Sequence, residues 1–189
     1  LDFSRAEEPK RRQVTMCDAV AQALPLVEAT LPAALRLESA LEEDGAEVEI
    51  DTGQLLQVLL NLVGNAADAQ QQRGVIRLSL DVVELDAESA ARIGVAEAGH
   101  FTRLTLRDEG CGIPPENLPQ IFDPFFTTKE VGKGTGLGLS VIHGIVTAHG
   151  GGIEVESTLG QGTTFNVYFP ILDKQRAYQS FRETETTAA

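Results

Sequence analysis

Apolar and polar residues alternate in two different rhythms along the chain, and each rhythm predicts an element. Val20, Leu24, Val27 and Leu31 recur at helical spacing and predict a helix over 17–31, although Pro25 interrupts it. The segments 35–41 and 46–50 alternate with a period of two and predict strands, separated by a turn at Asp44-Gly45. Residues 53–72 predict the longest helix, with Asp51 or Thr52 as its cap and Gly74 as its stop. Strands are predicted at 75–84 and 102–107. The Ala- and Glu-rich stretch from Asp86 to Gly99 between them reads as a loop or a helical turn. Residues 110–136 carry little periodicity, and long irregular segments are commonly functional. A helix over 137–149 follows, then strands at 153–157 and 163–169 joined across Gly160-Gln161-Gly162.

Helices and strands mix without strict βαβ alternation. The expected fold is therefore α+β, a two-layer sandwich with helices on one face of a mixed sheet. The expected organisation is a linker over 1–13, a folded domain over 14–171, and a polar, disordered tail over 172–189.

The helix over 53–72 is apolar almost all round, which predicts burial. Yet Gln57, Asn61, Asn65, Asp68 and Gln72 recur along it. At about 100° per residue they fall in a stripe roughly 80° wide. A solvated face is one account of such a stripe. A polar ligand is the other, and it is favoured because a solvated face more usually carries Lys and Glu. Carboxamide oxygens and a carboxylate are hard ligands suited to Mg2+.

Composition narrows the ligand. The chain has 189 residues, with 15 Lys+Arg against 28 Asp+Glu and a net charge of −13. That balance argues against nucleic acid as a partner. It also means a bound polyphosphate must be held by local devices. No apolar run approaches the length of a membrane span and no signal segment opens the chain, so a soluble, cytoplasmic fragment is expected. A longer parent protein anchored in the inner membrane is compatible with this. Cys17 and Cys111 lie far apart and suggest neither a zinc site nor a disulfide.

Two glycine-bearing segments supply such devices. Asp108-Glu-Gly-Cys-Gly-Ile113 follows a strand directly. An Asp beside glycines that allow close approach can accept a hydrogen bond from an adenine amine, although the same pattern occurs in ordinary turns. Gly132-Lys-Gly-Thr-Gly-Leu-Gly-Leu139 runs into a helix N-terminus, where free amides and a positive dipole end suit phosphate. A flexible linker is the competing account. The spacing matches neither a P-loop nor a dinucleotide fingerprint. Between the two lies Ile121-Phe-Asp-Pro-Phe-Phe-Thr-Thr-Lys129, either a lid or a loop pinned to the core by Phe122 and Phe125.

In this order the pieces resemble the GHKL ATPase superfamily, and specifically histidine kinases of two-component systems. The N box is similar to Asn61-Leu-Val-Gly-Asn65-Ala-Ala-Asp68-Ala, the G1 box to Asp108 through Gly112, the F box to Phe122 through Lys129, and the G2 box to Gly134 through Leu139. Gly160-Gln-Gly-Thr163 resembles the last glycine element. The resemblance covers roughly residues 14–171.

It implies a Bergerat-type fold binding ATP and Mg2+. Asn65 would ligate the metal, with Asn61 supporting it and Asp68 nearby. Asp108 would bind the adenine amine, with Thr163 close by and Gly110, Gly112 and Ile113 beside the base. Phe122, Thr127, Thr128, Lys129, Gly132, Lys133, Gly134 and Thr135 would belong to the lid and its phosphate contacts. The amides of Gly136, Leu137, Gly138 and Leu139 would cradle the triphosphate. Many members carry a cation where this chain has Asp68, and a subset resembling nitrogen-regulation kinases carries Asp there.

The resemblance also implies an acceptor histidine on a dimerisation domain. None of His100, His143 and His149 stands in such a setting, so the acceptor is expected outside this chain and the catalytic residue is left unassigned. The opening Leu1 to Pro9 looks like the exit from that missing domain. The implied partners are the dimerisation and phosphoacceptor helices and a downstream receiver domain. The fragment is expected to be a monomer and its parent a homodimer. Two other readings stay open, an Hsp90-, gyrase- or MutL-like ATPase and a catalytically silent nucleotide-sensing module. The first would need a glutamate base on the 53–72 helix, where Gln57 stands.

Overall fold

The structure, a computed structural model, describes residues 10–42, 46–129 and 134–172. Residues 1–9 of the expected linker, the turn at Asp44-Gly45, Gly132, Lys133 and the tail beyond 172 thus lie outside the described residues. The elements are β1 (Arg12–Thr15), α1 (Met16–Glu28), β2 (Leu35–Leu41), β3 (Glu47–Ile50), α2 (Thr52–Ala69), β4 (Gly74–Leu85), α3 (Ala87–Ile93), β5 (Gly99–Arg107), α4 (Gly138–Ala148), β6 (Gly152–Thr158) and β7 (Gly162–Pro170). A 3₁₀ turn over Leu118–Gln120 punctuates the long segment between β5 and α4.

The main sheet runs β2-β4-β5-β7-β6. Its β2–β4 pair is parallel and the other pairs are antiparallel, so the sheet is mixed as expected. Strand alternation sends Ile76, Leu78, Leu80, Leu104, Leu106, Phe165, Val167 and Phe169 to one face. There they meet Met16, Val20 and Val27 of α1, Leu55, Leu59 and Leu62 of α2, and Ile142 and Val146 of α4 in one continuous core. Leu55, Leu59 and Leu62 are completely buried, each stabilising by about 1.5–3 kcal/mol. The result is the two-layer α+β sandwich, with three helices on the core face.

The opposite face carries polar pairs, among them Arg103 donating through Nε and Nη2 to Asp81. One corner of it is covered. Residues 86–99, read as a loop or helical turn, form α3, capped by Asp86, whose carboxylate accepts from Ser89 N, and closed by Gly94 at φ 81°. Ala90, Ile93 and Val95 pack there against Leu85, Phe101 and Tyr168.

Three boundaries differ from expectation. The first described strand, β1, pairs with β3 from Arg12↔Ile50 onward, so the boundary drawn at residue 14 falls inside it. Pro25 lies within α1 without ending it, because Ala23 and Val27 on either side are buried against the core. The helix predicted to reach residue 72 ends at Ala69, where Gln71 and Gln72 take left-handed backbone at φ 54° and 63° and Gln72 N closes onto Ala67 O at 2.8 Å. Gly74 is then the first residue of β4 rather than a helix stop. Among the described residues no helix is long and apolar enough to cross a membrane.

Candidate functional site

Asp51 starts α2 by accepting from Gly53 N at 2.8 Å and Gln54 N at 3.2 Å. The apolar majority of the helix is buried, and this orients its polar stripe outward. Asn61 and Asn65 are half-buried on it. α4 comes up against the same stripe. A side-chain carbon at Gly138 would stand 3.6 Å from Asn61 Oδ1 and 3.9 Å from Asn65 Nδ2. The first turn of α4, from Gly138 to Ser140, leaves its amides without helical partners, so dipole-aligned N–H groups lie beside two carboxamides. Among the described residues neither carboxamide has a hydrogen-bond partner of its own. A hollow of about 430 Å³ borders Asn61, Asn65 and Asp68 on the α1–β2 side, with Thr30, Leu31 and Pro32 as its far wall.

The Asp108 turn sits at the other end of the stripe. Gly110 lies on the last residue of α2, where a side-chain carbon would be 2.6 Å from Ala69 Cβ, and Cys111 N donates to Ala69 O at 3.1 Å. Asp108 is 3% exposed. Its Oδ1 accepts from Gly110 N at 2.8 Å and Thr163 N at 3.3 Å. Its Oδ2 has no partner among the described residues. Burial pushes the Asp108 carboxyl above its ordinary value, and the two amide hydrogen bonds only partly oppose this. Gly112 takes φ 69° with Thr158 O pressed against it, while Ile113 N donates to Ser157 Oγ at 2.8 Å. Thr163 Oγ1 meets the same Ser157 Oγ at 2.9 Å.

Phe125 and Gly136 meet backbone to backbone, Phe125 N donating to Gly136 O at 2.8 Å. Gly136 at φ 65° has no room for a side chain against the Phe125 carbonyl. Thr127 Oγ1 accepts from Lys129 N and lies against Gly134. Thr128 is exposed, and Thr135 Oγ1 accepts from Leu137 N at 3.3 Å. Lys129 Nζ pairs with Asp68, whose other oxygen accepts from Gln72 Nε2 at 2.6 Å. Lys129 thus sets an ammonium group beside Asp68. The pinning aromatics are Phe122 and Phe126, both packed on the core, with Phe122 also 5.3 Å from His143. Phe125, expected as a pin, is 74% exposed, because its left-handed backbone at φ 70° serves the Gly136 contact and turns the ring out. Leu139 packs on the core and Leu137 is partly exposed.

Sequence reading missed Gln70 and Ser157. Gln70 is buried, and its Oε1 accepts from Glu109 N at 3.0 Å, tying α2 to the Asp108 turn. Both had a signal. Gln70 falls on the apolar side of α2, and Ser157 continues the inward series Ile153, Val155. A polar residue at an inward position needs a partner.

Residues 50–173 match the family described as histidine kinase-, DNA gyrase B- and HSP90-like ATPase. The chain is 37% identical over 179 residues to the sensor kinase CckA of Brucella abortus, covering 94% of this chain and 19% of that protein. It thus spans about a fifth of that relative's length. The catalytic domain of the histidine kinase ThkA superposes with a TM-score of 0.65 at 28% identity, covering 86% of this chain and 96% of that one. Full-length ShkA in complex with AMPPNP superposes with a TM-score of 0.68 at 26% identity, covering 88% of this chain and 32% of that one.

Proposed function

We infer the function from a membership that residues 50–173 establish: the chain belongs to the family of histidine kinase-, DNA gyrase B- and HSP90-like ATPases. Its proposed role is that of the ATP-binding catalytic domain of a sensor histidine kinase, passing the γ-phosphoryl group of ATP to a histidine in a separate phosphoacceptor segment. The observation that carries this reading is one helix with both ends of a nucleotide site on it. Asn61, Asn65 and the first turn of α4 lie on its stripe, and the Asp108 turn is bonded to its last residue, Ala69. Asn65 and Ala69 are one helical turn apart, about 6 Å.

In this reading Asp108 Oδ2, unpartnered among the described residues, accepts from the adenine amine. The amides of Gly138 to Ser140 and the Lys129 ammonium meet the phosphates. Asn65, with Asn61 one turn back, would hold Mg2+, whose contribution is to neutralise phosphate charge. The donor set fits. Two free carboxamides give a magnesium ion one or two protein oxygens, and it commonly takes the rest from phosphate and water. Among the described residues no cluster of His, Cys, Asp and Glu offers a rival site. Catalysis then rests on positioning and charge neutralisation, which dominate phosphoryl transfer.

Two of the three histidines of the chain are engaged within the fold. His149 has both ring nitrogens engaged, and His143 packs on Phe122. The partners proposed are therefore dimerisation and phosphoacceptor helices, followed by a response-regulator receiver domain. Gln57 in place of a glutamate on α2 weighs against a hydrolytic ATPase.

The test adds γ-labelled ATP and the cognate phosphoacceptor fragment to the chain. Acid-labile label on the acceptor histidine is expected. Tight nucleotide binding with no transfer would point instead to a silent sensing module, and steady hydrolysis without an acceptor to an ATPase.

A further inference from the structure

α2 and α4 run antiparallel and touch at both ends. At one end Gly138 lies against Asn61 and Asn65. At the other, His149, the residue that ends α4, is bonded to Asp51, the residue that starts α2. The bond is Asp51 N donating to His149 Nε2 at 3.1 Å. A backbone amide can only donate, so Nε2 is the acceptor and the ring proton sits on Nδ1. That nitrogen lies 2.8 Å from Ile145 O and donates to it. The imidazole is 6% exposed and meets Phe169 edge-on, with ring centroids 6.2 Å apart. One neutral side chain thereby fastens two helix ends.

The incoming chain is tied to the same joint. Lys10 N donates to Asp51 Oδ2 at 2.8 Å. Arg11 Nη2 donates to Ala148 O, in the last turn of α4, at 2.6 Å. Arg12 Nη2 donates to Thr52 Oγ1, in the first turn of α2, at 2.9 Å. Three consecutive residues thus hold both helices at their ends remote from the stripe.

We propose that His149 is a positioning residue for the phosphate end of the site: it sets the spacing between Asn61/Asn65 and the first turn of α4, and it links that spacing to the segment at residues 10–12. The inference rests on the nucleotide site proposed above. α4 carries the effect over 11 residues, about 16 Å. Two helices fixed at one end diverge or close at the other when that fastening shifts. The adenine end is held independently, since Asp108 hangs from Gly110, Thr163 and Gln70-bonded Glu109, none of which touches the joint.

This independence supplies the test. His149→Phe keeps the ring and removes the acceptor, and His149→Gln restores an acceptor and a donor. Affinities for Mg-ATP and for adenosine are measured by calorimetry on the full chain. His149→Phe should weaken Mg-ATP about fivefold or more while adenosine binding stays unchanged, and His149→Gln should recover most of the loss. Arg11→Ala, which leaves the core intact, should show the same split on a smaller scale and serves if His149→Phe does not fold. Equal losses for both ligands, or none for either, would overturn the proposal. If the unaltered chain binds neither ligand, the nucleotide reading fails. The joint is then judged without ligand, by amide exchange at Val141, whose N–H donates to Leu137 O in the first turn of α4. Faster exchange in His149→Phe supports it, and unchanged exchange refutes it.

Discussion

Asp108 and Thr163 are bonded to each other twice: Asp108 N donates to Thr163 O at 2.9 Å, and Thr163 N donates back to Asp108 Oδ1 at 3.3 Å. The pair joins the end of β5 to the start of β7 and leaves the second carboxylate oxygen without a partner among the described residues. A charge held this way is costly, and that cost makes its purpose testable.

Asp108→Asn should lose nucleotide without losing the fold. Asparagine keeps an acceptor for the two amides but turns a donor toward the adenine amine. The expected loss is about 1.5–3 kcal/mol of binding, roughly tenfold to a hundredfold. Stability should move the other way. A carboxyl raised above its ordinary 3.8 contributes fully below that pH and loses its contribution as pH rises through the folded value. At pH 7 the variant should therefore melt at or above the parent, and this advantage should vanish toward pH 3.8 and below. Thermal melts across pH, with calorimetry for binding, check both halves.

Gly162→Ala should unfold or cripple the domain. Gly162 sits at φ 103°, and an added side-chain carbon would stand 2.1 Å from Asp108 O. Left-handed strain alone costs about 1–3 kcal/mol, and the backbone clash adds to it. Gly160→Ala, at φ 78° with open space around it, is the control and should lose only the strain. Denaturant midpoints of the two variants separate strain from clash.

Asn65→Ala should abolish the magnesium dependence of nucleotide binding. Its carboxamide has no structural partner, so the melting temperature should change little, within about 0.5 kcal/mol. ATP titrations with Mg2+ and with a chelator should differ in the parent and coincide in the variant, while adenosine binds both equally. Two curves that still differ in the variant would remove Asn65 from the metal site.

Asp51→Asn should expose a titration at the α2 cap. Burial alone would raise the Asp51 carboxyl, but the amides of Gln54, Lys10 and Gly53 outweigh it and hold the carboxyl below 3.8. A depressed carboxyl contributes above its unfolded pKa and loses that contribution as pH falls through the folded value. Asn still caps the helix but carries no charge for the helix dipole, so the parent should be more stable by about 0.3–1 kcal/mol at neutral pH. That difference should shrink as pH falls below 3.8. Urea melts at pH 7 and pH 3 measure it.

Most elements were legible because burial imposes a period. Ile76, Leu78 and Leu80 announce a strand facing a core, and Leu55, Leu59 and Leu62 a buried helix, before any contact is known. Legibility failed where one residue served a distant partner. Nothing local to Gln70 says that it must reach Glu109, yet that contact accompanies the early end of α2 at Ala69. The account that pins the loop through Phe125 fails for the same reason, since its outward ring follows from a bond to Gly136, 11 positions on.

The chain's own pattern determined the kinds of groups present: an amide-bearing stripe on a buried helix, a carboxylate beside glycines, and a glycine run leading into a helix. These are local facts, set by side-chain chemistry and by the two repeat lengths of regular backbone. Only the tertiary structure decided that Gly138 lies against Asn61, that Asp108 hangs from Ala69 through its neighbours Gly110 and Cys111, and that His149 fastens α4 to the start of α2. Such relationships span 41, 77 and 98 positions between Ala69 and Gly110, Asn61 and Gly138, and Asp51 and His149. They arise when packing closes the core, and no window along the sequence contains both ends.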